Sequence, residues 1–231
     1  MRDKILILMS ALIFCSCAYT HKATEPNIPF SSFIRIEAAR HETNCITCVL
    51  EGGYGSGSKI GDRQVLTAGH ICAGIRDMLD NAAQSSIHDK VTVVMHDDAG
   101  NTYGATGLNM HPAHDVCIIK TDRPLLNDAI ELATNTTSRG RSVWSMMAPN
   151  GISGVGIVPI MSGHYVGGDA HTSIYTIPAH PGSSGGPILN ASGEVLGIVS
   201  QINKDFHHIV ISPSLSVLHK FVLSSQEEDQ K

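Results

Sequence analysis

His180-Pro181-Gly182-Ser183-Ser184-Gly185-Gly186-Pro187, with the apolar pair Ile188-Leu189 behind it, decides how the rest of the chain is read. Three glycines surround a serine pair just ahead of a predicted strand. Glycine admits backbone conformations closed to other residues and lets a bound group come close to main-chain N–H groups. Donors that converge on the oxygen of an attacked carbonyl need such an uncluttered backbone. The same composition also makes an ordinary turn between strands. A histidine and a buried carboxylate elsewhere in the chain separate the two readings.

Upstream, Gly52-Gly53-Tyr54-Gly55-Ser56-Gly57-Ser58 is dense in glycine. It lacks the Lys-Ser/Thr ending of a phosphate loop, so no nucleotide is expected there. Alternate glycines suit a strand that passes close to other backbone. A turn at Gly61-Asp62 leads into Gln64-Val65-Leu66-Thr67, which reads as a hairpin. That hairpin delivers Thr67-Ala68-Gly69-His70-Ile71-Cys72, placing an imidazole where a strand gives way to a loop. A short helix is expected within 71–83. Further on, Asp115 heads the apolar run Val116-Cys117-Ile118-Ile119. A carboxylate drawn inward there must find a partner, because an unpaired buried charge is costly. A histidine N–H would serve.

The remaining runs are short, rich in Val, Ile and Thr, and spaced by turns. They fall at 33–36, 91–95, 103–106, 142–147, 155–161, 173–177, 195–201 and 208–211. This spacing points to an all-β barrel or sandwich. Ser212-Pro213-Ser214 ahead of Leu215, Val217, Leu218, Phe221 and Val222 predicts a capped terminal helix.

A length of 231 residues and 42% hydrophobic composition fit one globular unit of the size all-β barrels reach. The net charge of −5 and the absence of a basic run interleaved with aromatics exclude a nucleic-acid partner. Arg2 and Lys4, the apolar core from Ile5 to Phe14 and the small residues Ser16-Cys17-Ala18 read as an export signal over 1–18. Its apolar run is short for a membrane span. The only membrane association expected is through a lipid on Cys15 or Cys17, and plain cleavage and lipid attachment both stay open. The expected location is a bacterial periplasm or cell envelope, or the medium.

Residues 19–32 read as a linker or mobile arm, 33–224 as the folded domain and 225–231 as a charged tail. Four cysteines remain after the signal: Cys45, Cys48, Cys72 and Cys117. In an oxidising compartment they invite disulfides in any of three pairings. Cys45 and Cys48 form a C-x-x-C near His41 without a second half, so no metal site is expected, and no cofactor.

His70, Asp115 and Ser184 therefore stand in chain order, each where a strand meets a loop. A serine hydroxyl is a weak nucleophile, a histidine can take and return its proton, and a carboxylate can hold the imidazole. Thr67-Ala68-Gly69-His70, His114-Asp115-Val116-Cys117-Ile118-Ile119-Lys120 and Gly182-Ser183-Ser184-Gly185-Gly186-Pro187 resemble the three signature segments of the trypsin/chymotrypsin-fold serine proteases. The resemblance spans Phe33 to the terminal helix. It implies two six-stranded antiparallel β-barrels divided near 125–142, with a C-terminal helix and the site in the cleft between them. It also implies peptide or protein substrates, with Ser184 as nucleophile, His70 as general base and then acid, Asp115 as orienting carboxylate, and the N–H groups of Gly182 and Ser184 as oxyanion donors. Ser184 is favoured over Ser183 because the nucleophile directly precedes Gly-Gly-Pro.

The departures from the pattern carry information. Digestive members place an aspartate just before the nucleophile to pair with a new amino terminus, and here that position is Ser183. No Ile/Val-Val-Gly-Gly start is visible, and activation by that ion pair is not expected. Gly-Ser-Gly before His70, the compact spacing from Asp115 to Ser184, and Gly-Glu-Val-Leu-Gly-Ile-Val-Ser at 193–200 are similar to the bacterial glutamyl-endopeptidase and stress-protease branches. By resemblance, Pro178, Ala179, His180 and Pro181 form one wall of the substrate pocket, and Ser200, Gln201 and Ile202 another. With no acidic residue at the pocket base, cleavage after Lys or Arg is not expected. An acidic side chain held by His180, His207 or His208 and a small uncharged one both stay open. The family often staples the loop near its histidine, so Cys72 is expected to bond Cys45 or Cys48, with Cys117 a buried free thiol. A non-catalytic binding module on the same fold, recognising an envelope or host protein, is the alternative reading.

Overall fold

Alternation at Phe33 to Ile36 continues through the ten-residue strand β1 (Phe33–Glu42), where Ile34, Ile36 and Ala38 turn into one core and Arg35 and Glu37 stay half-buried. The structure, a computed structural model, describes residues 25–43, 45–85, 89–203 and 205–228. The expected export segment with Cys15 and Cys17, and the last three residues, lie outside these. After β1 come β2 (Cys45–Gly61), β3 (Gln64–Thr67), α1 (Gly69–Gln84), β4 (Lys90–Asp97), β5 (Thr102–Met110) and β6 (Cys117–Thr121). The six strands close into a barrel in the order β1-β2-β3-β6-β5-β4. Ile34, Ile36, Val65, Met95, Tyr103 and Ile119 fill it, and Cys72, Ile75 and Met78 of α1 pack on the same core. Each fully buried isoleucine is worth about 1.5–3 kcal/mol relative to exposure.

The second half holds β7 (Ser142–Met146), β8 (Ile160–Gly168), β9 (Thr172–Tyr175), β10 (Pro187–Leu189), β11 (Val195–Ile198), β12 (Gln201–Ile202), β13 (Val210–Pro213) and α2 (Leu215–Glu228). These strands form one seven-stranded sheet, β11-β10-β7-β8-β9-β13-β12, rolled into a half-barrel. The two-barrel fold with a C-terminal helix is as expected, the second barrel being a seven-stranded half-barrel rather than six-stranded. β11 and β12 end the sheet without pairing to each other, and the two-residue β12 is too short to close it. A shared core joins the halves: Phe33, Leu66, Val116 and Ile118 meet Met146, Leu189, Val195 and Ile198, with Leu218, Phe221 and Val222 of α2.

Several sequence expectations shift. The helix after Ala68 is sixteen residues long and starts before His70, so the histidine sits in a first helical turn. Strand β8 begins only at Ile160, and Val155 and Ile157 are exposed on the loop ahead of it. Ser214 caps α2, its hydroxyl accepting the Val217 N–H at 3.4 Å. α2 then runs to Glu228, so the charged segment from residue 225 begins as helix. The described part of the amino-terminal arm is docked: Asn27 N–H donates to Ala191 O at 3.0 Å and its amide to Ser192 O at 3.2 Å.

Candidate active site

Barrel register brings the first two site residues together. β3 pairs antiparallel with β6, with Thr67 opposite Cys117. The chain therefore leaves β3 toward His70 at the same barrel end where it enters β6 from Asp115. Gly69 is needed there, because a Cβ on it would lie 2.9 Å from Val116 N and 3.0 Å from Asp115 Oδ1. His70 Nδ1 lies 2.9 Å from Asp115 Oδ2 and 3.2 Å from Oδ1. The backbone N–H of His70 donates to Oδ1 at 2.6 Å. Ala68, in the capping position of α1, has no side-chain acceptor. Asp115 supplies one from the start of the neighbouring strand and stabilises the positive end of the helix dipole while it orients the imidazole.

Ser200, assigned by resemblance to a pocket wall, donates its hydroxyl to Asp115 Oδ2 at 2.5 Å. Burial, the largest single influence, pushes the Asp115 carboxyl up. Hydrogen bonds from the His70 ring and Ser200, the His70 charge and the His70 N–H together outweigh it and hold the group below the ordinary carboxylate value. Sequence reasoning missed this contact, since only the fold carries residue 200 back to residue 115.

The expected nucleophile loop is a tight turn. Ser183 N–H donates to His180 O at 2.9 Å, Gly186 N–H to Ser183 O at 3.0 Å and Gly185 N–H to Val199 O at 2.6 Å. Gly182 and Gly185 have φ of +92° and +86°. A Cβ on Gly182 would run into Ala148 O, and one on Gly185 into Ser56 O and Thr67 Oγ1. Glycine is therefore required at both positions. Ser183 is fully buried and its hydroxyl accepts the His180 N–H at 3.2 Å, which turns it away from solvent. Ser184 is half-buried, and Gly185 beside it packs against Thr67 and Ala68, the residues leading into His70. Among the described residues the Ser184 hydroxyl makes no hydrogen bond, and the N–H groups of Gly182 and Ser184 have no backbone acceptor. In resting hydrolases the contact from nucleophile to base commonly tightens only with substrate.

Of the two expected pocket walls, the segment 178–181 meets His207 and the segment 200–202 pairs with β13. Ala179 N–H donates to His207 O at 3.1 Å, and the His180 and His207 rings meet edge to face at 5.5 Å. Ser200 N–H reaches Ile211 O at 3.3 Å, Gln201 is exposed and Ile202 half-buried. Pro178 is half-buried and Pro181 exposed. His208 packs on Phe206 instead. Among the described residues, no three His, Cys, Asp or Glu side chains converge as metal ligands.

The disulfides correct the expectation for Cys72. It bonds Cys117, while Cys45 bonds Cys48. The β3–β6 register carries Cys117 beneath α1, whereas Cys45 sits at the far tip of the β1–β2 hairpin, opposite Glu42. Beside His70, Ile71 also packs against Gly55. The bond from Cys72 to Cys117 ties the strand behind Asp115 to the helix behind His70.

A closed barrel and a half-barrel with a C-terminal helix define a chymotrypsin-like fold. The chain belongs to the trypsin-like peptidase domain family, whose model matches residues 55–198, and by that membership it is a serine peptidase. The fold is similar to that of Rv3671c protease from M. tuberculosis in its active form, at 17% identity and a TM-score of 0.62, covering 86% of this chain and 87% of that one. It is equally similar to an inactive serine-to-alanine mutant of Rv3671c from M. tuberculosis H37Rv, at 17% identity and a TM-score of 0.61, over 85% and 87% of the two chains. No curated protein sequence matches the chain.

Proposed function

We propose that this chain is an exported serine endopeptidase that hydrolyses peptide bonds through an acyl-enzyme. One observation carries the reading: His70 is held through Nδ1 by a carboxylate, next to a glycine turn that leaves the Gly182 and Ser184 N–H groups unspent. With Nδ1–H donated to Asp115, Nε2 is the basic nitrogen and faces away from the carboxylate. Ser184 Oγ attacks the scissile carbonyl carbon as its proton passes to Nε2, and the carbonyl electron pair moves onto oxygen. The two free N–H groups hold that oxyanion. Collapse breaks the C–N bond, and His70 returns the proton to the leaving amine. Water then attacks the acyl carbon, giving a proton to His70, and Ser184 regains it as the acid departs.

The open edge of β12 offers main-chain groups with which an extended substrate can pair. No acidic side chain stands in the segments 178–181 and 200–202, so Lys or Arg before the scissile bond is not expected. The two disulfides and the amino-terminal signal support export into an oxidising compartment.

A fluorophosphonate probe on protein lacking its first 18 residues tests the chemistry. Wild type and Ser183→Ala should be labelled, and Ser184→Ala should not. An unlabelled wild type would favour the binding module, and labelling that survives Ser184→Ala would remove the assigned nucleophile. Cleavage of a peptide library by the unlabelled wild type reads specificity, and a preference for Lys or Arg would contradict the pocket reading.

A further inference from the structure

The nucleophile loop has no carboxylate at residue 183 to lock onto a buried amino terminus, so another group must hold its peptide planes. We infer that Ser56, in β2 of the first barrel, is that group: a positioning residue that sets the oxyanion hole through its side chain. The inference rests on the proposed roles of Gly182 and Ser184.

Ser56 is fully buried, and its hydroxyl and backbone N–H are engaged at this loop. Its hydroxyl donates to Gly182 O at 2.8 Å and accepts the Ala148 N–H at 2.8 Å. Its backbone N–H donates to Ser184 O at 2.7 Å, and its carbonyl accepts the Thr67 hydroxyl at 2.7 Å. One residue of the first barrel thus holds the carbonyls on either side of Ser183 and also the strand end that leads to His70.

The peptide planes follow one by one. The Gly182–Ser183 unit is fixed at both ends, its C=O by the Ser56 hydroxyl and its N–H by His180 O. The Ser184–Gly185 unit is likewise fixed, its C=O by Ser56 N–H and its N–H by Val199 O. The two units next to these have only their carbonyls tied: Pro181 O accepts Asn150 N–H at 2.6 Å, and Ser183 O accepts Gly186 N–H. Their free N–H groups are those of Gly182 and Ser184. Pinning alternate planes aims those two donors.

Without the Ser56 hydroxyl, Gly182 O and Ala148 N–H would both be buried and unpaired. Gly182, at positive φ and without a Cβ, would resist rotation least. Its peptide would turn to satisfy the carbonyl elsewhere, and one oxyanion donor would be lost from position. The sequence signal is Gly55-Ser56-Gly57. Gly55 leaves room for Ile71, and a Cβ on Gly57 would lie 2.8 Å from Leu66 O. The flanking glycines let β2 sit close enough for a side chain as short as serine to reach the loop.

Steady-state kinetics of wild type, Ser56→Ala, Ser56→Cys and Ser56→Thr, with inhibition by a peptide aldehyde and by the matching product acid, test the inference. Losing one well-placed oxyanion donor costs roughly 10²–10³ in kcat, so a misaimed one in Ser56→Ala should cost about 10- to 100-fold, with KM within about threefold. Aldehyde affinity should fall with kcat, because its adduct carries the oxyanion, while product-acid affinity holds. Ser56→Thr, which keeps the hydroxyl, should recover most of the rate. A Ser56→Ala enzyme with a cooperative urea transition and wild-type kcat would overturn the inference. So would equal losses for aldehyde and product acid. If Ser56→Ala does not fold, Ser56→Cys decides, since its thiol is a poor donor: wild-type kcat there would overturn the inference too. A wild type with neither turnover nor fluorophosphonate labelling would refute the peptidase reading itself, and the inference with it.

Discussion

Replacing Cys72 and Cys117 together by alanine should destabilise the protein far more than replacing Cys45 and Cys48. The bonded cysteines lie 45 residues apart in the first pair and 3 apart in the second. In the chain-entropy account a crosslink restricts the unfolded chain in proportion to the logarithm of the loop it closes. That gives about 4 kcal/mol for the long loop, about 1.6 kcal/mol for the short one and a difference of about 2.4 kcal/mol. Cys72 and Cys117 are also fully buried, so the alanines vacate two packed sulfurs and add to the loss. Urea unfolding of both double variants and wild type, at one pH and protein concentration, measures the difference. A loss of about 4 kcal/mol should lower the midpoint by more than about 1 M at the slopes usual for urea. Equal destabilisation of the two variants would refute the reasoning, as would a loss below about 1 kcal/mol for Cys72→Ala with Cys117→Ala.

Other outcomes follow from single contacts. In Ser200→Ala the Asp115 carboxyl loses a donor that helps hold its pKa down. A depressed carboxyl contributes stability above its unfolded value that is lost as pH falls through the folded one. Urea midpoints taken from neutral pH into acid should therefore begin to fall at higher pH in the variant, and superimposable curves would contradict the role given to Ser200. Gly185→Ala combines positive φ with overlap on Ser56 O and Thr67 Oγ1 and should cost about 3 kcal/mol or more, read as loss of soluble protein or of urea midpoint.

His111 Nδ1 accepts the N–H groups of Ala113 and His114 at 3.0 Å each, shaping the turn before Asp115. Burial, and then the charge of His114, hold its pKa below the ordinary histidine value. Its stabilisation is complete above about pH 6.5 and lost as pH falls through the lowered folded value. His111→Phe should therefore cost about 1 kcal/mol near neutrality and converge with wild type in acid. A gap in urea midpoints that widens on acidification would oppose this.

Much of the fold was legible because its signals are local. The Gly61-Asp62 turn and the Ser214 cap each follow from a few adjacent residues, and both are present. Where the reading slipped, the deciding partner was distant. Val155 and Ile157 look strand-forming, yet they stand exposed, since no neighbouring strand pairs with them beyond one isolated bridge at Ile157. His70 looked like the end of a strand. It lies in a helix whose cap is a carboxylate 45 residues away.

By itself the sequence determined which residue types were available for catalysis, their order, and the preference for Ser184 over Ser183, because each is written in a short segment whose backbone needs only glycine and proline to take shape. The tertiary structure alone decided which of those groups meet. The β3–β6 register set His70 against Asp115 and paired Cys72 with Cys117. The return of the second sheet brought Ser200 to Asp115 across 85 residues and Gly182 to Ser56 across 126. Hydrogen bonds act over about 3 Å, and such closeness between remote segments is a property of strand pairing and packed cores rather than of any stretch of chain.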